Sequence, residues 1–167
     1  MAEVKVRAVR PGDGAGCARA WLDAARYYVE LDPDNFQLPA EAGLAGWFEQ
    51  DHADGSQTVL RLVATVDEQV AGFVAAVLEP PLPGAQWQLT RAAASPRVYV
   101  NALMVAERYR RAGVGTALMA AVEQWGQSGG AVLVALDTNL RSPLSVPFYE
   151  DRMGYARHGV IFRKYLA

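Results

Sequence analysis

The apolar and polar positions along the chain repeat with two periods, one typical of strands and one typical of helices. Residues 4–9 alternate, which predicts a strand. Residues 57–66 and 69–80 are two apolar segments on either side of Asp67 and Glu68, which predicts a hairpin. Residues 97–105 and 131–137 are rich in β-branched and apolar side chains. We interpret these two segments as buried strands.

Helical spacing of apolar residues occurs in four other segments. Asp13 follows the first strand and is expected to cap the first helix, which is predicted to end near Val29. Gly154 is expected to end the last helix in a left-handed conformation. The other predicted helices cover residues 40–50, 113–127 and 142–153, and one or two strands are predicted in 155–166.

The predicted order of elements is β–α–α–β–β–β–α–β–α–β. Helices and strands alternate in the second half, and the first half contains a hairpin. This order favours a mixed α/β sheet covered by helices. The length of 167 residues is typical of one domain, so residues 1–167 are expected to form a single domain.

Composition and charge exclude several classes of protein. The formal net charge is −2, without the basic excess of a nucleic-acid-binding protein. The single cysteine, Cys17, allows no intrachain disulfide and fits a reducing compartment. The longest apolar segments are too short to cross a bilayer, and the N-terminus lacks the apolar stretch of a signal peptide. A cytoplasmic protein without membrane or nucleic-acid partners is expected.

Two glycine-rich segments precede predicted helices, where free N–H groups and the helix dipole favour anions. The first, GDGAG at 12–16, contains Asp13, which would repel a phosphate, so a structural role is favoured. The second, RRAGVG at 110–115, has two glycines that allow close approach of a ligand to the backbone. Its two arginines and Thr116 add hydrogen-bond donors. It lacks the G-K-[ST] ending of a P-loop and the third glycine of a dinucleotide fingerprint.

The segments YVNALMVAERYRRAGVGTALM, VALDTN and FYEDRMGY follow one another at spacings that resemble the GNAT N-acetyltransferase superfamily. Arg110, Gly113 and Gly115 satisfy its R/Q-x-x-G-x-G/A signature, and the resemblance covers about residues 58–158. It implies a mixed, mostly antiparallel sheet with a central, splayed parallel pair flanked by helices. It also implies an enzyme that transfers the acetyl group of acetyl-CoA to an amine within a ternary complex.

The resemblance also implies where acetyl-CoA would bind. The loop would hold the pyrophosphate mainly through backbone N–H groups. The strand over 97–105 would carry a bulge that separates it from 131–137, and the pantetheine arm would pair in the gap. The residues expected to contact the cofactor are Leu103, Met104, Val105, Arg110, Arg111, Ala112, Gly113, Val114, Gly115 and Thr116, with the amides near Met104 and Val105 polarising the acetyl carbonyl.

Tyr149 matches the tyrosine that, in relatives, contacts the thioester sulfur and protonates the leaving thiolate. Ser142 matches a position that is often asparagine and contacts pantetheine. Pro147 removes a hydrogen bond within this helix, so the helix could instead begin at Ser145, and Asn139 then competes with Ser142 for this role.

The general base is not evident, because Asn101 and Tyr99 occupy the positions where relatives often carry glutamate. Three solutions stay open: waters held by Asn101 and Tyr99, a carboxylate such as Glu79 or Asp34, or an acceptor of low amine pKa.

The resemblance implies that the loop between the first two helices borders the acceptor, which is therefore expected to contact Tyr28, Asp34 and Phe36. Aromatics with carboxylates suit a cationic amine. Core packing and solvated carboxylates are the alternative interpretation. A small-molecule amine is favoured, while protein N-termini, lysine side chains and a non-catalytic CoA-binding sensor remain alternatives. The resemblance leaves a homodimer open. His52 and His158 lie in no metal-ligand spacing, so no metal is expected.

Overall fold

The computed structural model describes residues 3–50 and 56–166. The chain divides into two compact units, Met1–Leu136 and Asp137–Ala167. The strands are β1 (Lys5–Ala8), β2 (Val59–Val66), β3 (Gln69–Glu79), β4 (Arg97–Val105) and β5 (Val134–Ala135). The α-helices are α1 (Gly14–Leu31), α2 (Leu44–Gln50), α3 (Val114–Ser128) and α4 (Ser145–Pro147). A π-helical segment, Phe148–Arg152, follows α4.

The sheet lies in the first unit, and its strand order is β1-β2-β3-β4-β5. The first four strands are antiparallel to their neighbours, whereas β5 pairs with β4 in parallel. The mixed, mostly antiparallel sheet predicted from the sequence is therefore confirmed. Among the described strands the parallel pair lies at one end of the sheet and is not central.

The predicted hairpin of β2 and β3 is confirmed. Its two turn residues, Asp67 and Glu68, have φ angles of 48° and 61°. Left-handed backbone at both positions is the geometry of a type I′ turn, whose twist matches that of the flanking strands. Val66 and Gln69 face each other as the first pair beyond the turn.

One hydrophobic cluster of the first unit lies between α1, α2 and one face of the sheet, while α3 buries Leu118, Met119 and Val122. Trp21 of α1 stacks on Phe73 of β3 with ring centroids 6.2 Å apart, and Phe48 of α2 contacts both rings edge-on. α1 approaches β3 closely at Gly16, because a Cβ there would lie 2.4 Å from the Cβ of Val70. Glycine is therefore required sterically at this helical position.

The start of α1 is held by side chains from other elements. The Asp13 carboxylate accepts two hydrogen bonds from Arg7, at 2.6 and 2.8 Å, and one from the Arg10 N–H at 2.9 Å. It makes no capping bond to the helix, so the predicted role of its side chain is wrong. Glu49 of α2 instead accepts the N–H groups of Gly12 and Gly14.

Besides the last predicted helix, three predicted elements are shorter than expected or absent. α2 begins at Leu44 and not near residue 40, because Gly43 adopts a left-handed φ of 82°. The buried strand predicted over 131–137 is reduced to Val134–Ala135, and Val132 is 59% exposed. The strands predicted within 155–166 are wrong, since this segment has neither helix nor strand and its apolar side chains are exposed.

Replacing Gly16 by alanine should destabilise the protein by about 2 kcal/mol, because the new methyl overlaps the branched Val70 side chain. Gly46→Ala in α2 is the matched control, since no atom lies within 4 Å of the new Cβ. That control should stabilise by up to about 1 kcal/mol through helix propensity. Equal effects of both substitutions in chemical denaturation would contradict the close approach of α1 to β3.

Protonation of the Asp13 carboxylate should contribute to a loss of folding stability in acid. Burial alone would raise the pKa of Asp13, but the hydrogen bonds and charges of Arg7 and Arg10 outweigh it and lower the pKa. The stabilisation is therefore complete above the ordinary carboxyl pKa of about 4 and is lost as the pH falls through the lowered value. Asp13→Asn should cost about 2 kcal/mol at neutral pH, and its stability should converge with the wild type's in acid. A constant difference between the two proteins in denaturation from pH 7 to 2 would contradict this assignment.

Candidate active site

A β-bulge at Asn101 changes the pairing of β4. Ala102 pairs with Ala75 and Val100 with Ala76, so Asn101 has no opposite residue on β3. On the other side, β4 pairs with β5 only at Val98 and Tyr99. The bulge and the separation of β4 from its parallel neighbour are therefore both present, as the resemblance implied.

Beyond the bulge, no strand among the described residues pairs with the second edge of β4, which we call its open edge. The Ala106 N–H donates to the Ala71 carbonyl on β3 at 2.9 Å. Hydrogen-bonding direction alternates along a strand, so the backbone of Met104 faces β3, whereas that of Leu103 and Val105 faces the open edge. Of the three backbone positions suggested by the sequence, Leu103 and Val105 are thus the ones directed toward the gap.

The loop between β4 and α3 contains two residues in left-handed backbone. Arg111 has a φ of 68° and Gly113 a φ of 84°. The Ala112 N–H donates to the Tyr109 carbonyl at 3.3 Å, and Arg110 has φ −61° and ψ 145°. This is a type II turn, in which Arg111 occupies the position that normally requires glycine. Strain held in a tight loop is a common feature of functional sites.

The N-terminus of α3 presents free hydrogen-bond donors. The first helical bond runs from the Ala117 N–H to the Gly113 carbonyl at 2.9 Å. The N–H groups of Val114, Gly115 and Thr116 precede it and have no acceptor in residues 3–50 and 56–166. No atom lies within 4 Å of a Cβ placed at Gly113, so the residue that immediately precedes these amides borders open space. Three amides at the positive end of a helix dipole form a site suited to a phosphate.

The two arginines of this loop have different surroundings. Nη2 of Arg110 donates to the Asp23 carbonyl on α1 at 3.2 Å, and its guanidinium carbon lies 5.6 Å from the centre of the Tyr27 ring. Arg110 is therefore directed toward α1, whereas the Arg111 side chain is exposed to solvent. Of these two guanidinium groups, that of Arg111 is the one available to an anion.

Val98 faces α3, where a Cβ at Gly126 would be 2.8 Å from its Cγ2, and the next residue, Tyr99, lies on the opposite face of β4. Asn101 follows two residues later as the bulged residue. Asn101 is exposed and Tyr99 is partly buried. Of the carboxylates suggested as bases, Glu79 lies 3.4 Å from the Arg97 guanidinium and Asp34 is exposed.

The expected acceptor residues lie at the C-terminal end of α1 and in the turn after it. Tyr28 stacks on Phe36 with ring centroids 5.0 Å apart, and Tyr27 contacts Tyr28 edge-on at 5.2 Å. The turn is held by the Asp32 carbonyl, which accepts the Phe36 N–H at 3.1 Å. Tyr28 and Phe36 thus form one aromatic surface, and we call Tyr27, Tyr28 and Phe36 the aromatic wall.

In the second unit, Ser142 and Asn139 belong to one turn. The Ser142 N–H donates to the Asn139 carbonyl at 2.9 Å. Although α4 begins at Ser145, Ser142 Oγ accepts the Ser145 N–H at 3.0 Å and its carbonyl accepts the Val146 N–H at 3.3 Å. Ser142 therefore caps the turn that precedes α4, and α4 begins at Ser145, which was one of the two alternatives left by the sequence.

Tyr149 lies in the π-helical segment that replaces most of the predicted helix. The Met153 N–H donates to the Phe148 carbonyl at 3.0 Å, one residue further than in an α-helix. Pro147, which has no N–H, stands immediately before this change. Gly154 ends the segment with a φ of 76°, so its predicted left-handed cap is confirmed. The Tyr149 ring contacts those of Phe148 and Tyr155 edge-on.

Asp23 is a residue that the sequence did not suggest. Its carboxylate accepts the Glu107 N–H at 2.9 Å, just before the loop. The two residues are 84 positions apart, and no local pattern marks such a contact.

The described residues can also be searched for metal-binding groups and for membrane-spanning helices. No three His, Cys, Asp or Glu side chains among them are grouped so that they could hold a metal ion. His158 lies in the exposed C-terminal segment, and His52 lies outside the described residues. None of the helices in the described part of the chain combines the length and apolarity needed to cross a membrane.

A sequence-family model described as the acetyltransferase (GNAT) family matches residues 17–155. This chain belongs to the GNAT acetyltransferase family. Its mixed sheet with a parallel β4–β5 pair, the bulge at Asn101 and the loop before α3 are the fold of a GNAT acetyltransferase. No curated protein sequence is significantly similar to the chain.

Three solved structures illustrate the fold of this GNAT protein. A tetramutant of the BH1408 protein from Bacillus halodurans is 19% identical with a TM-score of 0.77, over 96% of this chain and 99% of that one. An acetyltransferase of Trypanosoma brucei is 20% identical with a TM-score of 0.61, over 98% and 100%. An aminoglycoside N-acetyltransferase, AAC(6')-Iy in complex with CoA, is 20% identical with a TM-score of 0.62, over 100% and 97%.

Arg111→Gly should leave the protein at least as stable as the wild type, because relief of left-handed strain of about 1–2 kcal/mol exceeds the entropic cost of glycine. Arg111→Val should destabilise it by a further 1–2 kcal/mol or so, since a branched Cβ fits this conformation worst. Chemical denaturation of the two variants tests the turn. A stable valine variant with a destabilised glycine variant would contradict the type II geometry.

Proposed function

We propose that this GNAT protein transfers the acetyl group of acetyl-CoA to a primary amine of a small molecule. The observation that carries the proposal is the set of three amides at the start of α3 beside the open edge of β4, in a chain matched by the GNAT model over 17–155. Acyltransferase chemistry is common to the family. The choice of acetyl-CoA and of the acceptor is our inference.

The start of α3 suits the pyrophosphate of CoA, and the open edge of β4 suits the amides of its pantetheine arm. The N–H groups of Val114, Gly115 and Thr116 offer donors to a pyrophosphate at the positive end of a helix, and the exposed Arg111 adds charge. The open backbone of Leu103 and Val105 offers alternate N–H and C=O groups to the amides of pantetheine, as an added strand would. Ser142 is 2% exposed and its Oγ accepts the Ser145 N–H, so we assign it to its own turn and not to the cofactor.

Acetyl-CoA supplies an activated acetyl thioester. The acceptor nitrogen attacks its carbonyl carbon, a C–N bond forms, and the C–S bond breaks. The backbone N–H at Leu103 or Val105 would stabilise charge on the carbonyl oxygen, a contribution of about 3 kcal/mol in sites of this kind. Tyr149 would donate a proton to the leaving thiolate.

We favour water held by Asn101 and Tyr99 on β4 as the base that removes the proton from the attacking amine. Glu79 is less suitable because the Arg97 guanidinium, 3.4 Å away, competes for its oxygens. Asp34, on the exposed turn after α1, is better suited to attracting a cation than to removing a proton from a shielded nitrogen.

Three features support a small cationic amine as the acceptor. The stacked Tyr28 and Phe36 rings suit a cation, and Asp34 lies between these two residues in the sequence. A solved GNAT enzyme of similar fold, crystallised with CoA, is described as an aminoglycoside N-acetyltransferase.

The lone Cys17 fits a reducing compartment, and we infer a single catalytic domain that acts in the cytoplasm.

Tyr149→Phe should lower kcat by about tenfold or more while leaving the Kd for CoA within twofold, because the hydroxyl acts on the leaving thiolate and not on cofactor binding. Tyr155→Phe is the matched control, since it removes a hydroxyl from the neighbouring ring, 5.9 Å away between centroids. Release of free thiol from acetyl-CoA is followed with aminoglycosides, small polyamines, and peptides with a free N-terminus or lysine. CoA binding is measured separately by calorimetry.

The outcomes separate the alternatives. CoA binding without thiol release from any amine favours the non-catalytic sensor, and Tyr149→Phe would then change nothing. Turnover confined to peptides moves the acceptor to protein N-termini or lysines. A wild-type protein that does not bind CoA contradicts the proposal.

A further inference from the structure

Asp23 connects α1 to the chain that leads into residues 110–116, which we call the cofactor loop. A short 3₁₀ turn, Glu107–Tyr109, lies between the end of β4 and that loop. Asp23 Oδ2 accepts the N–H of Glu107, the first residue of the turn, at 2.9 Å. The contact joins residues 84 positions apart in the sequence.

The bond satisfies an amide that the turn itself leaves free. Within the turn, the Tyr109 N–H donates to the Ala106 carbonyl at 2.9 Å and the Arg110 N–H to the Glu107 carbonyl at 3.1 Å. The Glu107 N–H comes before the first of these bonds and has no acceptor within the turn. A carboxylate is the strongest acceptor that a side chain offers to a backbone amide.

A second contact ties the far end of the turn to the same part of α1. Arg110 donates to the Asp23 carbonyl at 3.2 Å, and its guanidinium lies over the Tyr27 ring. Tyr27 in turn contacts Tyr28 of the aromatic wall. Both ends of the 107–110 segment are thus fixed to one turn of the helix that carries the expected acceptor residues.

The second hydrogen bond of the Asp23 carboxylate lies within α1 and does not attach the loop to the helix. Oδ1 accepts a hydrogen bond from Arg26 at 3.2 Å, within the same helix. Arg26 is 55% exposed whereas the Asp23 side chain is 21% exposed. Exposed ion pairs of this type contribute little to stability. The bond to Glu107 is therefore the main structural contribution of this carboxylate.

We propose that Asp23 is a positioning residue, which holds the cofactor loop at a fixed distance and orientation from the aromatic wall. The inference rests on the proposed function of that loop. The amides at the start of α3 bind a diphosphate well only if their directions are fixed before binding, since ordering the loop on binding costs affinity. The same tie fixes the separation between the cofactor loop and the helix that presents the acceptor.

Asp23→Ala should weaken CoA binding about tenfold in calorimetry and raise the KM for acetyl-CoA by a similar factor, with a smaller change in kcat. Asp23→Asn should stay within about threefold of the wild type, because its amide oxygen can still accept the Glu107 N–H. Arg26→Ala is the matched control, since it removes the other partner of the carboxylate, and it should leave both quantities unchanged. Asp23→Gln moves the oxygen by one methylene and should resemble Asp23→Ala, which provides a second test if the alanine variant does not fold.

Hydrogen exchange separates this inference from the proposed function, because it needs no ligand. Backbone amides of 107–116 should exchange faster in Asp23→Ala, or in Asp23→Gln, than in the wild type and Arg26→Ala. Equal exchange in all four proteins, or unchanged CoA affinity in the Asp23 variants of a CoA-binding wild type, would overturn the inference. If the wild type does not bind CoA, the proposed function fails, while the exchange rates still decide whether Asp23 fixes the loop.

Discussion

Backbone hydrogen-bonding groups without protein partners are the feature on which this site depends. Buried N–H and C=O groups are normally paired, so a chain that leaves several of them open at one place must have a structural cause. Here the cause is the bulge at Asn101, beyond which β5 no longer pairs with β4. Thirteen residues after Asn101, α3 begins at Val114 with three amides that also have no acceptor in the described part of the chain. An open strand edge and an open helix start therefore lie within one short segment.

The surrounding structure keeps these groups open and ordered. Gly113 supplies a left-handed residue without crowding the amides, and the buried Val114 fixes the start of α3 to the sheet. Arg111 keeps a left-handed backbone although it is not glycine, which places a guanidinium on an exposed turn. Asp23 and Arg110 attach the preceding turn to α1. The loop thus owes its shape to long-range contacts as much as to its glycines.

The sequence predicted those features that depend on local pattern. The hairpin at Asp67 and Glu68 followed from two apolar segments around a polar pair, and the loop with its following helix followed from the glycine spacing. It failed where tertiary contacts decide the outcome. Asp13 has the residue type and position of a helix cap, but Arg7 binds its carboxylate in place of the helix. The segment 155–166 has the composition of a strand, but no pairing partner for it is present among the described residues. Asp23 left no signal, because its importance lies in one contact with a distant backbone amide.

The most direct test of this account follows the backbone amides themselves by NMR as CoA is added to the ¹⁵N-labelled protein. The account predicts that the largest shift changes occur at Leu103 and Val105 on the open edge of β4, and at Val114, Gly115 and Thr116 at the start of α3. Unchanged resonances for these five amides at saturating CoA, or changes concentrated at Gly12 and Gly14 before α1, would contradict it.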